Sequence, residues 1–443
     1  MTGGPLESVL RAVTGREGAG EAEVYWKRGR SRRLEREGLE TAAAAQREEG
    51  WAVRAGTDRG SFFHAGTGAP SPDVHWPQPD GRPLELPSRA IVGEPAPWRE
   101  PPELDAPLVG EKEGFALLAA IEDELQAEVP GARLVTARLD DGGSEVEILN
   151  SRGLAARYRQ RAAYLRVEAL DRRGDEPRVA VVEFGMREAR LLPAKAVARR
   201  LADRLHVARH GQPVDRDRAD LLLAPAVSAR VLASLLPLFL GPEAGKLAER
   251  LGGSRDRFGS EMVTIVDDGR FPGGLLAAPA DGEGVPTRAV TLVERGTYRQ
   301  ALLGLREAPT VRGVRPIGCA RRPSWRDLPA PGPSHLYLQP GTMGVGRLVG
   351  GLTRGYFLIA LDGAPRVDWT EGRLQFPASG FAVEAGRARE PVRNTWVTGT
   401  IATFLRGIVA LGRDLQFEPF ATGGLIGAPT LLVTGLELRG AGG

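Results

Sequence analysis

Cysteine is almost absent from this 443-residue chain: Cys319 stands alone. An intrachain disulfide framework and a metal site built from several cysteines are therefore excluded. Histidine is scarce, at five residues, and lysine is confined to Lys27, Lys112, Lys195 and Lys246, so nearly all positive charge is arginine. Charge of one sign is lacking too, with Lys+Arg 59 against Asp+Glu 56 and a net charge of +3. A nucleic-acid surface would want clustered base with stacking aromatics, and no nucleic-acid partner is expected. Long apolar runs are missing. The longest, VLASLLPLFL over Val231–Leu240, is too short to span a bilayer and contains Pro237. The N-terminus has no basic segment leading into an apolar core, so neither a signal peptide nor a membrane location is expected, and the chain reads as cytoplasmic.

What is present is an ordinary globular composition, 42% hydrophobic and 26% charged, over a length suited to two or three domains. Pro5–Val13 reads as a helix. Ala22–Trp26, Ser31–Glu37, Trp51–Arg54 and Gly60–His64 read as short strands. Between the first two, Lys27, Arg28, Arg30, Arg32, Arg33 and Arg36 form the densest basic cluster. Glu35 and Glu37 accompany it, and it is expected to be a solvated hairpin. Proline recurs over 69–107 as in a linker or excursion. A helix follows over Phe115–Val129, then strands over Ala132–Leu139, Ser144–Leu149, Ala155–Leu170 and Val179–Phe184. Asn150-Ser151 is a turn signal among them, and a helix from Pro193 to about Arg209 closes the unit. From Asp220–Pro225 (DLLLAP) onward come a helix over Ala226–Leu240, many short Gly-punctuated strands and a helix over Ile401–Leu411. The expected fold class is α+β: an N-terminal α+β part with an antiparallel sheet and flanking helices, and a C-terminal mixed-β part, a curved sheet or barrel. The expected division is 1–68, a 69–107 linker, 108–212 and 218–443.

Few constellations point to chemistry. His206 and His210 have the i, i+4 spacing of a helical zinc pair, but Val207 stands where a general-base Glu would be, and no third ligand is evident. Histidine near a helix C-terminus is favoured by the helix dipole alone. Cys319 has Arg321 and Arg322 beside it but no identifiable His–Asn pair, which suits a packing role. Asp267, Asp268, Asp281 and Glu283 sit in Gly-rich turns and suit turn capping; an unrecognised carboxylate site there is a weaker reading. Pro391–Val397 alternates as a strand that could either receive an added peptide strand or be paired already inside a sheet.

Several segments in order resemble the TldD/PmbA family: AEVYW…GWAVRAGTDRGSFFHAGT, NSRG, GSEMVTIVDDGRFPGGLLAAPADGEGVPTR over Gly259–Arg288, the stretch Pro340–Tyr356, and NTWVTGT over Asn394–Thr400. Catalytic members of that family carry a His-Glu-x-x-x-His helix after the apolar strand and a Cys ligand near the C-terminus. The corresponding helix here reads AVSARVLASLLPLFLG, without His, Glu or Cys, and Phe417–Pro429 lacks Cys. The resemblance therefore implies a TldE/PmbA-like, non-catalytic subunit without cofactor or catalytic residue of its own. Zinc would reside in a TldD-like partner, and the heteromer would hydrolyse unfolded or leader-type peptides. Arg322, Asn394, Trp396 and Thr398 are the expected peptide-groove residues. The alternative is a homo-oligomeric peptide-binding or assembly protein with no catalytic partner.

Overall fold

A computed structural model describes residues 4–16, 19–38, 40–75, 77–88, 109–174, 176–186, 194–215, 217–252, 254–308, 317–419 and 424–440. The proline-rich residues 89–107 and the terminal 441–443 lie outside the described residues. The fold is mixed α+β, antiparallel in its N-terminal sheet and mixed in its C-terminal sheets.

Among the described residues, three helices and six strands build the first half: α1 (Pro5–Thr14), β1 (Ala19–Glu37), β2 (Glu40–Thr57), β3 (Gly60–Thr67), α2 (Glu111–Glu128), β4 (Arg133–Asn150), β5 (Ala155–Asp171), β6 (Arg178–Met186) and α3 (Ala194–His210). The strands form one sheet in the order β3-β2-β1-β4-β5-β6. The basic cluster is not a hairpin between two short strands, because β1 is continuous through it. The pairing with β4 explains why. It sets Arg28 opposite Glu145, Arg32 opposite Asp141 and Arg33 opposite Asp140. The three arginines reach those carboxylates at 2.6, 2.9 and 2.9 Å. Cross-strand opposite charges stabilise a ladder that side-chain hydrophobicity alone would not predict. The chain reverses instead at Gly38, whose φ of 57° is costly for other residues. β4 likewise runs unbroken where two strands are expected.

One face of the sheet is covered by α2 and α3 through Leu118, Ile121, Leu125, Val197, Leu201 and Leu205, packed on Leu139, Leu165 and Val167. α1 covers Val24, Val53 and Phe62 through Leu6, Val9 and Val13. The opposite face presents Tyr25, Ile148 and Tyr158 to Ala278, Ala280 and Trp325 of the C-terminal half. Gly50 lies flat beneath Trp325, and a Cβ there would stand 2.0 Å from the indole.

β7 (Asp220–Leu223) enters the C-terminal half beside Arg354–Leu361 in a parallel pair, and the sheet continues through Arg373–Glu384, Arg387–Thr400 and Glu437–Gly440. A second sheet contains Ile265–Asp268, His335–Leu338, Leu425–Ala428 and Gln416–Pro419. Between them lies α4 (Pro225–Ser234), with Val227, Val231 and Leu232 in the core. Pro225 opens this helix at a position where a missing N–H costs nothing. It ends at Ser234 rather than running to Leu240, and Leu236–Leu238 is a 3₁₀ turn around Pro237. The expected helix to Leu411 stops at Arg406; Gly407 follows, and then the strand Ile408–Leu411.

Candidate functional site

Two charged clusters organise the molecule, and they differ in kind. The first joins the N-terminal sheet to the C-terminal half. Glu23 and Arg54 are opposite each other in the β1–β2 pair and bond at 2.6 and 3.1 Å. Arg54 Nη1 also donates to Glu283 at 3.0 Å, and Arg322 donates to both Glu23 and Gly282 O. The Arg322 guanidinium lies 4.5 Å from the Tyr25 ring centroid, in cation–π range. Burial opposes ionisation of Glu23, but Arg54 and Arg322 outweigh it and hold its carboxyl below the ordinary range. Burial pushes Glu283 upward.

Asp281 works one layer deeper. Its carboxylate accepts backbone N–H groups of Glu283, Val285 and Ala320 at 2.9, 2.9 and 2.8 Å. This is the turn-capping role that its Gly-rich setting suggests. Burial, then the nearby Glu283, raises it to about 7 against the pull of those donors. Asp267 accepts Ser334 N at 2.7 Å and is raised by burial to about 6. Cys319, fully buried beside them, has its thiol pushed well up by burial and by the two aspartates. A thiol so placed is a packing group, not a nucleophile.

The second cluster lines a cavity of about 640 Å³ between β6, α3, α4 and the strand Arg354–Leu361. β6 is the last strand of its sheet, and Pro177 through Glu183 line the cavity without interruption. Opposite stand Ile359, Leu361, Asp362, Ser379 and Asn394. α3 contributes Arg200 and Arg204 from one face, and α4 contributes Arg230. Arg230 approaches Glu183 at 3.4 Å and Glu418 at 4.0 Å, while Arg166 takes Glu183 at 2.6 Å. Arg200 bonds the Gln416 amide at 2.5 Å and lies 4.7 Å from the Phe184 ring centroid. Arg204 donates to the backbone oxygen of Val181. Burial lowers the pKa of both guanidinium groups. This site is not legible in the sequence because its residues come from eight separate segments. The i, i+4 spacing of Arg200 and Arg204 on α3 was the one local signal.

Of the four expected groove residues, Asn394 alone lines this cavity; its φ is +51°, and its N–H donates to Asp362 at 3.3 Å. Arg322 is in the first cluster with a side chain 1% exposed. Trp396 carries Arg366 over its ring at 5.2 Å, and Thr398 donates to Glu437 O at 3.5 Å. Thr395–Thr398 pairs with Arg373–Glu384 on one side and Glu437–Gly440 on the other, so its backbone has no open edge for a peptide.

The zinc implied by the resemblance can be tested against α4. The helix presents alanine, valine, leucine, serine and Arg230, none a suitable ligand for the ion. Among the described residues no three His, Cys, Asp or Glu side chains are grouped to hold a metal. His206 and His210 have ring centroids 4.9 Å apart at the end of α3, where burial and the neighbouring His210 lower the pKa of His206. These residues do not fit the zinc site. Among the described residues no helix is long and apolar enough to cross a membrane.

Comparison with known proteins accounts for the architecture. Residues 216–440 match the PmbA/TldA metallopeptidase C-terminal domain, and residues 104–209 match the central domain. A metalloprotease TldD homolog of Buchnera aphidicola is 30% identical over 163 residues, 36% of this chain and 33% of the relative. A metalloprotease of Methanothermobacter thermautotrophicus is 32% identical over 173 residues, covering 39% and 36%. The chain thus spans about a third of the length of these curated relatives. The crystal structure of TldE from Thermococcus kodakarensis superposes with a TM-score of 0.85 over 99% of this chain and 100% of that one, at 20% identity, a likeness of fold. With the C-terminal match alone covering half its length, the chain belongs to the PmbA/TldD metallopeptidase family.

Proposed function

We propose that this chain is a cytoplasmic, non-catalytic, TldE/PmbA-like subunit of a heteromeric zinc metallopeptidase acting on unfolded or leader-type peptides. The observation that carries this reading is α4: the helix that the resemblance matches to the family's metal helix offers no imidazole or carboxylate, and its only charged side chain is Arg230. Zinc held by a TldD-like partner would supply the activated water. This chain would supply wall, charge and backbone against which a peptide lies, with Asn394 and the edge of β6, which line the same cavity, as the contacts proposed for it. Cleavage of an unfolded peptide by the purified chain, with and without a co-expressed TldD-type chain, tests the proposal. Chelator-sensitive cleavage is expected only for the pair; robust cleavage by the lone chain would refute it.

A second reading, a homo-oligomeric peptide-binding or assembly protein, is favoured by one observation. β2 pairs with β3 only from Gly50 onward, and Glu40–Glu48 is exposed without a strand beside its outer edge among the described residues. Such an edge is a template for pairing with another chain. Light scattering after size exclusion separates the readings: a homodimer indifferent to the TldD-type chain favours the second.

A further inference from the structure

The cavity beside β6 has an excess of one charge. Six arginines line it, against the carboxylates of Glu183, Asp362 and Glu418. Those carboxylates are already engaged, Glu183 by Arg166 and Arg230, Asp362 by Ser379 and Asn394, and Glu418 by Arg230. Among the described residues, Arg200 and Arg204 hydrogen-bond neutral acceptors and have no carboxylate within ion-pair distance; the buried Glu418, whose field they share with Arg230, is the main negative charge acting on them. Three guanidinium groups sharing one buried carboxylate are under-compensated, and a further carboxylate is the group that matches a guanidinium fork.

The backbone beside them supplies the second half of a site. Strand alternation directs the outward N–H and C=O groups of β6 from Val179, Val181 and Glu183, the set that includes the oxygen bonded by Arg204. Val179 is 51% exposed, an apolar side chain on a strand with no hydrogen-bonded strand beyond it among the described residues, although Gln416–Pro419 packs against the same strand. An extended peptide laid along this edge would bond its backbone to β6 and bring its side chains within reach of α3. We propose that the cavity binds an extended peptide along β6 and that Arg200 and Arg204 receive a carboxylate of that peptide. The inference deepens the peptide-handling function above and rests on it. It makes acidic segments the preferred substrate class.

The carboxylate can come from a Glu or Asp side chain or from a peptide C-terminus, and peptide design separates the two. Fluorescence anisotropy with the full chain would compare a labelled glutamate-rich peptide with both ends capped, a Ser/Ala/Val peptide with a free C-terminus, the same peptide amidated, and a lysine-rich peptide. Binding of the capped glutamate peptide is expected, weakened about tenfold by Arg200→Gln or Arg204→Gln, in line with loss of one charged hydrogen bond. Arg204→Lys should retain part of it. Arg295→Gln, at an exposed pair with Glu261, should leave it unchanged. Binding of only the free-terminus peptide, with the same arginine dependence, would assign the site to terminal carboxylates. Equal binding of the amidated neutral or lysine-rich peptide, or indifference to both substitutions, would overturn the proposal. Circular dichroism would establish that each variant is folded. Slowed hydrogen exchange in β6 on adding the glutamate peptide to wild-type chain is a readout that needs no variant. Because the assay uses neither partner nor zinc, its outcome is independent of whether a catalytic partner exists.

Discussion

At the junction between the N-terminal sheet and the C-terminal half, Arg54 and Arg322 are matched by Glu23 and Glu283. Along the cavity beside β6, Arg200 and Arg204 face the amide of Gln416 and the carbonyl of Val181. The same side chain does two jobs, and the difference lies in what surrounds it. A buried guanidinium paired directly with a carboxylate fixes the relation of two halves of the chain, because breaking such a pair leaves a charge stranded. A guanidinium at a cavity wall that bonds no carboxylate directly and shares Glu418 with its neighbours is expected to contribute less to folding.

Replacement of one arginine from each cluster should separate them most sharply. Arg54→Ala would leave Glu23 and Glu283 short of a partner and is expected to cost about 3–5 kcal/mol. Arg204→Ala should change stability by no more than about 1 kcal/mol. Denaturant unfolding monitored by Trp fluorescence measures both, and equal losses would erase the distinction.

A pH effect comes next. Asp281 and Asp267 are held up to about 7 and about 6 in the folded chain, whereas an unfolded aspartate titrates near pH 3.9. Between these values the folded state keeps protons that the unfolded state has released. Their stabilising contribution is therefore present at acid pH and lost as pH rises through the folded values. Asp281→Asn should flatten that decline, measured as melting temperature from pH 5 to 8. It should also lower stability throughout, since the amide keeps one acceptor oxygen and puts a donor NH₂ in place of the other, so it cannot accept from Glu283 and Val285 on one side and from Ala320 on the other. Glu23 has the opposite sign: its contribution is lost as pH falls, and Glu23→Gln should remove that acid-side loss. An unchanged profile in Asp281→Asn would place the titration elsewhere.

The smallest effect concerns Cys319. Its thiol is buried and held protonated, so an aromatic disulfide reagent at pH 8 should label the unfolded chain stoichiometrically and the folded chain hardly at all. Fast labelling of the folded chain would contradict the packing role.

Much of the architecture is legible in the sequence because it is written locally. Alternation in Ala155–Leu170 and Val179–Phe184 marks β5 and β6, the apolar run from Ala226 marks α4, and Asn150 marks its turn by accepting the N–H groups of Arg152 and Leu154 at 3.0 Å. The continuity of β1 is not legible, because the arginines that look like a solvated loop acquire partners only when β4, more than a hundred residues later, lies alongside. The cavity is hidden for the same reason. Arg322 looks like a groove residue until Glu23, 299 positions away, is seen to hold it.

Zinc content tests the central claim most directly. Elemental analysis of the purified full chain, after dialysis against a mild chelator, should find far less than one zinc per chain, while the complex with a TldD-type partner retains about one per pair. One tightly held zinc in the isolated chain would contradict the account.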